Sequence, residues 1–84
     1  MGEDVLLIVE VSDSSLRFDL GEKADLYAAA GISDYWVVNV SARSIVVHRD
    51  PADGHYRAVQ THGASDELRP LRIPEVVLRP AALW

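Results

Sequence analysis

Glu10 interrupts an otherwise apolar segment near the start of the chain. Alternation along a strand places Leu6, Ile8, Glu10 and Ser12 on one face of a sheet. Burying a carboxylate is costly unless a cation or a hydrogen-bond donor pairs with it. Two interpretations therefore stay open from the residues alone. Glu10 lies at a solvent-exposed strand end, or it is a metal-binding carboxylate at the open end of a sheet.

Lys23 is a second polar residue in an apolar pattern. It stands between Leu20 and Tyr27 at steps of three and four residues, on the helical stripe that should face the sheet. In one interpretation its amine extends from the edge of the stripe to solvent or pairs with Asp19. In the other it points toward Glu10 across the join between strand and helix. An ammonium there would stabilise negative charge that develops on a phosphate.

The remaining residues lack the spacing of a known catalytic pattern. His48, His55 and His62 are each seven residues apart, without the tight spacing of a metal motif. Asp50 and Asp53 belong to a turn sequence rather than to a calcium loop. The chain has no cysteine, which excludes disulfides and thiolate metal sites. Glu10 and Lys23 are therefore the two candidate site residues.

A strand and a helix must position these two side chains. The apolar run over residues 5–11 predicts a central strand covered on both faces. The polar residues 12–15 favour the start of a helix, which we predict over residues 16–30. Gly31 then predicts the helix end, because glycine readily adopts the left-handed conformation of a C-terminal cap.

The rest of the chain predicts a meander of antiparallel strands. The strands are expected over residues 35–40, 44–49 and 55–61, with turns at 41–43 and 50–54. Residues 71–73 and 76–78 favour a short edge strand, and residues 80–84 a helical turn. The whole chain, residues 1–84, is predicted to be one α/β (α+β) domain with one main helix.

Length and charge narrow the class of protein further. The chain has 84 residues, a net charge of −5 and a sequence pI of about 4.9, which disfavours non-specific binding to nucleic acid. Its first residues are acidic where a secretory signal would be basic. The apolar run over residues 5–9 is far shorter than the ~20 residues of a membrane span. We therefore expect a cytoplasmic protein.

One ordered set of residues carries a family resemblance. It consists of Glu10-Val11, the serine-rich residues 12–15, Asp19, Lys23, Tyr27, Gly31 and Tyr35-Trp36. This set resembles the Uma-type family of bacterial restriction-endonuclease-like domains, which is similar to the PD-(D/E)XK nuclease superfamily. The resemblance covers most of the chain. The order of these residues along the sequence is more specific for the family than any one of them alone.

The resemblance implies a fold, a cofactor and a substrate. The fold would be a restriction-endonuclease-like mixed sheet followed by an antiparallel meander. Glu10 would bind Mg²⁺ with an aspartate on an adjacent strand, and the metal would polarise a DNA phosphate and activate water. Superfamily members carry a lysine two residues after the glutamate. Here that residue is Ser12, so the resemblance implies that Lys23 has taken over the lysine's role.

The chain departs from the family before the first strand, where family members supply the metal-binding aspartate. Asp4 shares a strand face with Glu10, but six residues at ~3.3 Å each place it roughly 20 Å away. One ion does not span that distance. We therefore expect this chain to be the C-terminal portion of the nuclease fold, truncated before the first strand and inactive alone.

Two functions of other classes are kept as alternatives. The first is a non-catalytic assembly module. In this alternative an exposed strand over residues 5–11 pairs with another chain, for example with a second copy in a homo-oligomer. The second is nucleic-acid binding without catalysis on a basic face of the meander. That face would be formed by Arg43, His48, Arg49, Arg57, Arg69, Arg72 and Arg79.

Overall fold

The structure is a computed structural model that describes residues 7–14, 16–63, 65–71 and 76–80. Within these residues the elements are β1 (Ile8–Ser12), α1 (Leu16–Leu20), α2 (Glu22–Ala29), β2 (Asp34–Asn39), β3 (Ser44–Ala52) and β4 (His55–His62). The described strands form one mixed sheet in the order β1-β2-β3-β4. The predicted α+β class and the antiparallel meander are confirmed.

The sheet joins one parallel pair to two antiparallel pairs. β1 and β2 run parallel, with Glu10 opposite Val37, so the helical segment between them is a crossover. β2 and β3 are antiparallel, as are β3 and β4. The turn between β3 and β4 is shorter than predicted, because β3 continues to Ala52. Asp53 and Gly54 both have positive φ, as a two-residue type I′ hairpin turn requires.

The main helix predicted over residues 16–30 is present, but it bends at Gly21 into α1 and α2. This residue has φ −106° and ψ −97°, outside the helical region. A Cβ at this position would lie 3.1 Å from the carbonyl oxygen of Arg17. Glycine permits the close approach, so α1 and α2 meet at an angle while Asp25 still donates its backbone N–H to the Gly21 carbonyl.

The predicted helix end at Gly31 is confirmed. Gly31 has φ +79°. Its N–H donates to the Ala28 carbonyl, and the Ile32 N–H donates to the Tyr27 carbonyl. These two bonds form a Schellman motif, which turns the chain from α2 into β2.

Apolar clusters cover the two faces of the sheet. On the helical face, Tyr35, Val37 and Val46 pack with Ala24. On the opposite face, four strand residues pack with Leu68 from the chain after β4: Trp36, Val38, Ile45 and Val47. Because successive strand residues alternate between faces, the adjacent Tyr35 and Trp36 enter different clusters.

The burial predicted for the first strand is wrong. β1 lies at one edge of the described sheet, and Val9 and Val11 are 46% and 70% exposed on the face away from the helices. No described element covers these two valines. The continuous apolar run in β1 therefore did not mean that both faces of this strand are buried. Residues 5 and 6 lie outside the described residues.

The predicted edge strand is also not formed as expected. Leu68 and Leu78 make an isolated antiparallel bridge, and residues 76 and 77 belong to no strand. Residues 72–75 and 81–84, which include parts of this strand and of the predicted helical turn, lie outside the described residues.

Candidate functional site

Glu10 lies on the helical face of β1. Strand alternation places it with Ile8 and Ser12 on this face, as predicted, while Val9 and Val11 lie on the other. Its side chain is partly buried, with 29% of its surface exposed. Glu10 is therefore accessible from solvent at the edge of the sheet and also close to the helices.

Lys23 lies one residue into α2 and contacts two carboxylates. Its Nζ lies 3.1 Å from Glu10 Oε1 and 3.6 Å from Asp19 Oδ1. The contact with Glu10 joins helix to strand, and the contact with Asp19 spans the bend at Gly21. Both arrangements considered from the sequence are thus present together.

The carboxylates keep Lys23 protonated. The hydrogen bond to Glu10, together with the charges of Glu10 and Asp19, raises the pKa of Lys23 above its ordinary value. Desolvation opposes this effect but is the smaller influence. A permanent positive charge therefore lies beside Glu10.

Two tyrosine hydroxyls donate hydrogen bonds to the residues that contact Lys23. Tyr27 donates its hydroxyl to Glu10 Oε1 at 3.3 Å, and Tyr35 donates its hydroxyl to the Asp19 backbone carbonyl at 3.0 Å. Burial raises the pKa of Tyr35, so it remains a neutral donor. Asp19, Lys23 and Tyr27 recur every four residues, and this interval could have indicated from the sequence that all three approach Glu10.

Ser12 lies two residues beyond Glu10 on the same strand face. It is 1% exposed, and its Oγ has no hydrogen-bond partner within the described part of the chain. Its backbone carbonyl accepts a bond from the Val40 N–H. A buried hydroxyl without a partner is uncommon and calls for an explanation, such as a water or a ligand oxygen.

The described residues do not fit a complete magnesium site. No group of three or more histidine, cysteine, aspartate or glutamate side chains within them is placed to hold a metal ion. Glu10 and Asp19 are oxygen donors of the kind that Mg²⁺ prefers. However, the Lys23 ammonium lies against both carboxylates.

A second polar centre was not predicted from the sequence. Asp34 is fully buried and accepts bonds from Arg49 Nε at 3.0 Å, the Trp36 indole N–H at 2.5 Å and the Leu71 N–H at 2.8 Å. Arg49 also donates to the Arg69 carbonyl at 2.6 Å. This centre connects the chain after β4 to the start of β2. Its donor groups all take part in these structural hydrogen bonds.

The three histidines lie in separate places. His48 is buried between the rings of Tyr35 and Tyr56, with centroids 5.1 and 5.5 Å away. His55 lies 3.1 Å from Asp25. His62 lies 3.2 Å from Asp66. A groove beside α2 is lined in part by His48 and His55, but Glu10 and Lys23 do not line it.

Comparison with known families decides the classification. The model of the family Uma2, described as "Putative restriction endonuclease", matches residues 1–81. The chain belongs to the Uma2 family. The resemblance seen in the ordered residues from Glu10 to Trp36 is thereby confirmed. No curated protein matches the chain.

Other surface features bear on the Uma2 domain's partners. Several arginines of the proposed basic face pair with carboxylates: Arg49 with Asp34, Arg57 with Asp50, and Arg79 with Glu67. These pairs reduce the positive charge that such a face would offer to nucleic acid. None of the described helices is long and apolar enough to cross a membrane.

Proposed function

We propose that this Uma2 domain acts on DNA as part of a Mg²⁺-dependent phosphodiester-hydrolysis centre, with Glu10 and Lys23 as its site residues. The observation that carries the proposal is the 3.1 Å contact between Lys23 Nζ and Glu10 Oε1. These residues are 13 positions apart in sequence, and each interrupts an apolar pattern.

The pair offers the two kinds of group that phosphate chemistry needs. Glu10 supplies a partly exposed carboxylate that accepts hydrogen bonds from water or binds a cation. Lys23 supplies a fixed positive charge that stabilises negative charge on phosphate oxygens. Tyr27 holds the Glu10 carboxylate from the helix side.

The proposal includes inactivity of this chain alone. The family resemblance implies Mg²⁺ at Glu10, but the donors in the described ranges do not complete a metal site. Cleavage of a phosphodiester by this class of centre needs a bound metal to polarise the phosphate. The chain is therefore proposed to contribute part of the centre.

Amide chemical shifts of the ¹⁵N-labelled protein test the proposed site. A 12-base-pair DNA duplex would be titrated at low salt with Mg²⁺ present, since weak binding by an acidic protein still moves resonances. Shift changes should concentrate at Glu10, Ser12 and Lys23, and Lys23→Met should reduce them. The matched control is Arg57→Met, which removes an exposed positive charge on β4. Changes that leave Glu10 and Lys23 unaffected would contradict the assignment.

Assembly through β1 is a second candidate, favoured by a specific observation. Within the described residues β1 pairs with β2 alone, and its Val9 and Val11 are exposed. A strand edge with unpaired backbone groups and apolar side chains is a template for another chain. We propose a second copy of this chain as the partner, since two identical edges can pair about a two-fold axis.

Sedimentation at increasing protein concentration tests this assembly. The wild-type protein should form dimers, and Val11→Lys should be monomeric because it places a charge in the paired surface. Val59→Lys is the matched control, because Val59 is also an exposed strand valine but lies on β4 at the opposite edge. Monomers of the wild-type protein at high concentration would refute the candidate, as would equal dissociation by both variants.

A further inference from the structure

The outer face of the bent helix carries an aromatic side chain at a position where a surface helix is usually polar. Phe18 lies on α1 and is 47% exposed, although the adjacent Asp19 is only 3% exposed. Phe18 is the one phenylalanine of the chain. A large exposed apolar side chain with polar groups around it marks a binding surface more often than a solvated helix face.

Phe18 borders a groove at the bend between α1 and α2. The groove has a volume of about 500 Å³, and it is lined by Ser14, Arg17, Phe18, Gly21 and Glu22. This volume lies within the range of small-ligand sites, roughly 300–1,000 Å³. Gly21 has no side chain, so the bent backbone itself forms part of the groove wall.

Arg17 supplies the groove with a positive charge that no described carboxylate neutralises. Within the described residues it makes no ion pair, whereas Arg49, Arg57 and Arg79 each contact a carboxylate. A guanidinium stays charged, and its planar set of donors matches the oxygens of a phosphate. The groove therefore offers a phosphate a donor that is not already bonded to an acid.

The other groove residues suit a nucleobase. An exposed aromatic ring such as that of Phe18 stacks on the face of any base. Of the described residues that line the groove, only Glu22 has a carboxylate. A carboxylate repels phosphate, but it accepts a hydrogen bond from the exocyclic amino group of cytosine. Base and phosphate would thus contact different side chains of one groove.

We infer that this groove binds an unpaired nucleotide of DNA. The base stacks on Phe18, its amino group contacts Glu22, and a neighbouring phosphate binds Arg17. A base inside a duplex is already stacked and paired, so its face is not available to the ring. Proteins that hold single strands combine positive charge with aromatic side chains in this way.

The groove adjoins the Glu10–Lys23 pair, and the inference rests on the proposed function. Phe18 is the direct neighbour of Asp19, and Asp19 Oδ1 lies 3.6 Å from Lys23 Nζ. Successive helix residues differ by about 100° around the axis, so the groove and the ion pair lie on adjoining flanks of one bend. The inference therefore adds an unpaired nucleotide, beside the phosphate at Lys23, to the proposed DNA substrate.

The ring resonances of Phe18 test the inference, because no other phenylalanine contributes to them. Protein labelled with ¹³C at phenylalanine would be titrated at low salt with a 12-nucleotide oligodeoxycytidylate, and separately with the same strand annealed into a duplex. A stacked base shifts ring protons upfield. We expect this shift with the single strand and not with the duplex. No ring shift with the single strand would overturn the inference, as would an equal shift with the duplex.

The same titrations separate this inference from the proposed function. Amide shift changes at Glu10 and Lys23 without a ring shift at Phe18 would overturn the inference and leave the proposed site standing. A ring shift at Phe18 without changes at Glu10 and Lys23 would support the groove and contradict the proposed site.

Fluorescence anisotropy of the labelled single strand measures the contribution of the aromatic ring. Phe18→Leu keeps an apolar side chain but removes the aromatic face, so binding should weaken by about fivefold. Phe18→Trp keeps a stacking surface and should bind at least as tightly as the wild-type protein. Leu26→Ala is the matched control, since Leu26 is an exposed apolar residue of α2 outside this groove. Equal weakening in Leu26→Ala, or wild-type binding by Phe18→Leu, would overturn the inference.

Two further variants test the polar contacts, with circular dichroism to establish that each variant is folded. Arg17→Met should weaken binding of the single strand more than Arg57→Met, which removes an arginine that lies beside Asp50. Oligodeoxycytidylate should bind more tightly than oligothymidylate, because thymine has no exocyclic amino group, and Glu22→Ala should remove this difference. Equal effects of the two arginine variants would overturn the inference, as would an unchanged base preference in Glu22→Ala.

Discussion

At the scale of single residues, Asp34 is a fully buried carboxylate balanced chiefly by Arg49. Arg49 is itself 30% exposed and reaches Asp34 from β3. The Trp36 indole and the Leu71 backbone N–H complete the set of donors to Asp34. Removing one partner of such a pair costs more than the pair contributes, because an uncompensated buried charge remains.

We predict that Arg49→Met lowers the free energy of unfolding by about 3 kcal/mol. The loss follows from the buried charge left on Asp34 and from the loss of the bond to the Arg69 carbonyl. Urea denaturation measures it. Arg57→Met is the control, because Arg57 lies 3.9 Å from Asp50 at the surface, and its effect should stay within about 1 kcal/mol. Equal effects of the two substitutions would contradict this role of Asp34.

His48 gives the protein a predicted dependence on pH. Burial lowers the pKa of His48 below its ordinary value of 6.5, against smaller raising effects of backbone carbonyls. The unfolded chain therefore binds this proton more readily than the folded chain. Stability from neutral His48 is present above pH 6.5 and decreases as the pH falls through that value.

The melting temperature measured from pH 8 to pH 5 tests this dependence. It should fall below about pH 6.5 in the wild-type protein. His48→Gln removes the titrating group and should flatten the profile in this range. His55→Gln, which replaces an exposed imidazole, should leave the profile close to wild type. An unchanged slope in His48→Gln would refute the assignment.

At the scale of elements, the Schellman motif at Gly31 links α2 to β2. Because a Cβ is unfavourable at φ +79°, Gly31→Ala should destabilise the protein by about 1–2 kcal/mol. Thermal or urea unfolding measures the change. Gly63→Ala is the matched control, since a Cβ there meets no atom within 4 Å and should change stability little. A larger effect at Gly63 than at Gly31 would contradict the motif's role.

The elements differ in how far the sequence could predict them. The faces on which Glu10 and Lys23 lie were predictable from periodicity within one strand or helix. The cap at Gly31 was predictable from the left-handed conformation that glycine readily adopts. The bend at Gly21 was not predicted, because the helix was expected to run without interruption over residues 16–30. The partnership of Asp34 with Arg49 depends on the register of β2 with β3, which pairs these two positions. Some contacts depend on the register between two strands or on a distant segment that folds back onto the sheet. Such contacts leave no pattern in the local sequence.

At the scale of the whole molecule, the net charge of the chain and the position of Lys23 both bear on the proposed contact with DNA. The chain carries a net charge of −5, so the DNA binding that we propose would depend on local positive charge and on cations. In the described structure the positive charge beside Glu10 is that of Lys23, held by two carboxylates. Within the described residues this pair does not complete a metal site, and on this ground we propose that the chain alone is inactive.

Plasmid nicking with Mg²⁺ and with Mn²⁺ tests this central claim most directly. The wild-type protein would be compared with Glu10→Ala and Lys23→Ala at equal concentration and purity. We predict that the wild-type protein nicks no more DNA than either variant, because the described residues do not complete a metal site. Metal-dependent nicking by the wild-type protein that disappears in both variants would contradict the account. It would show a complete centre built on Glu10 and Lys23.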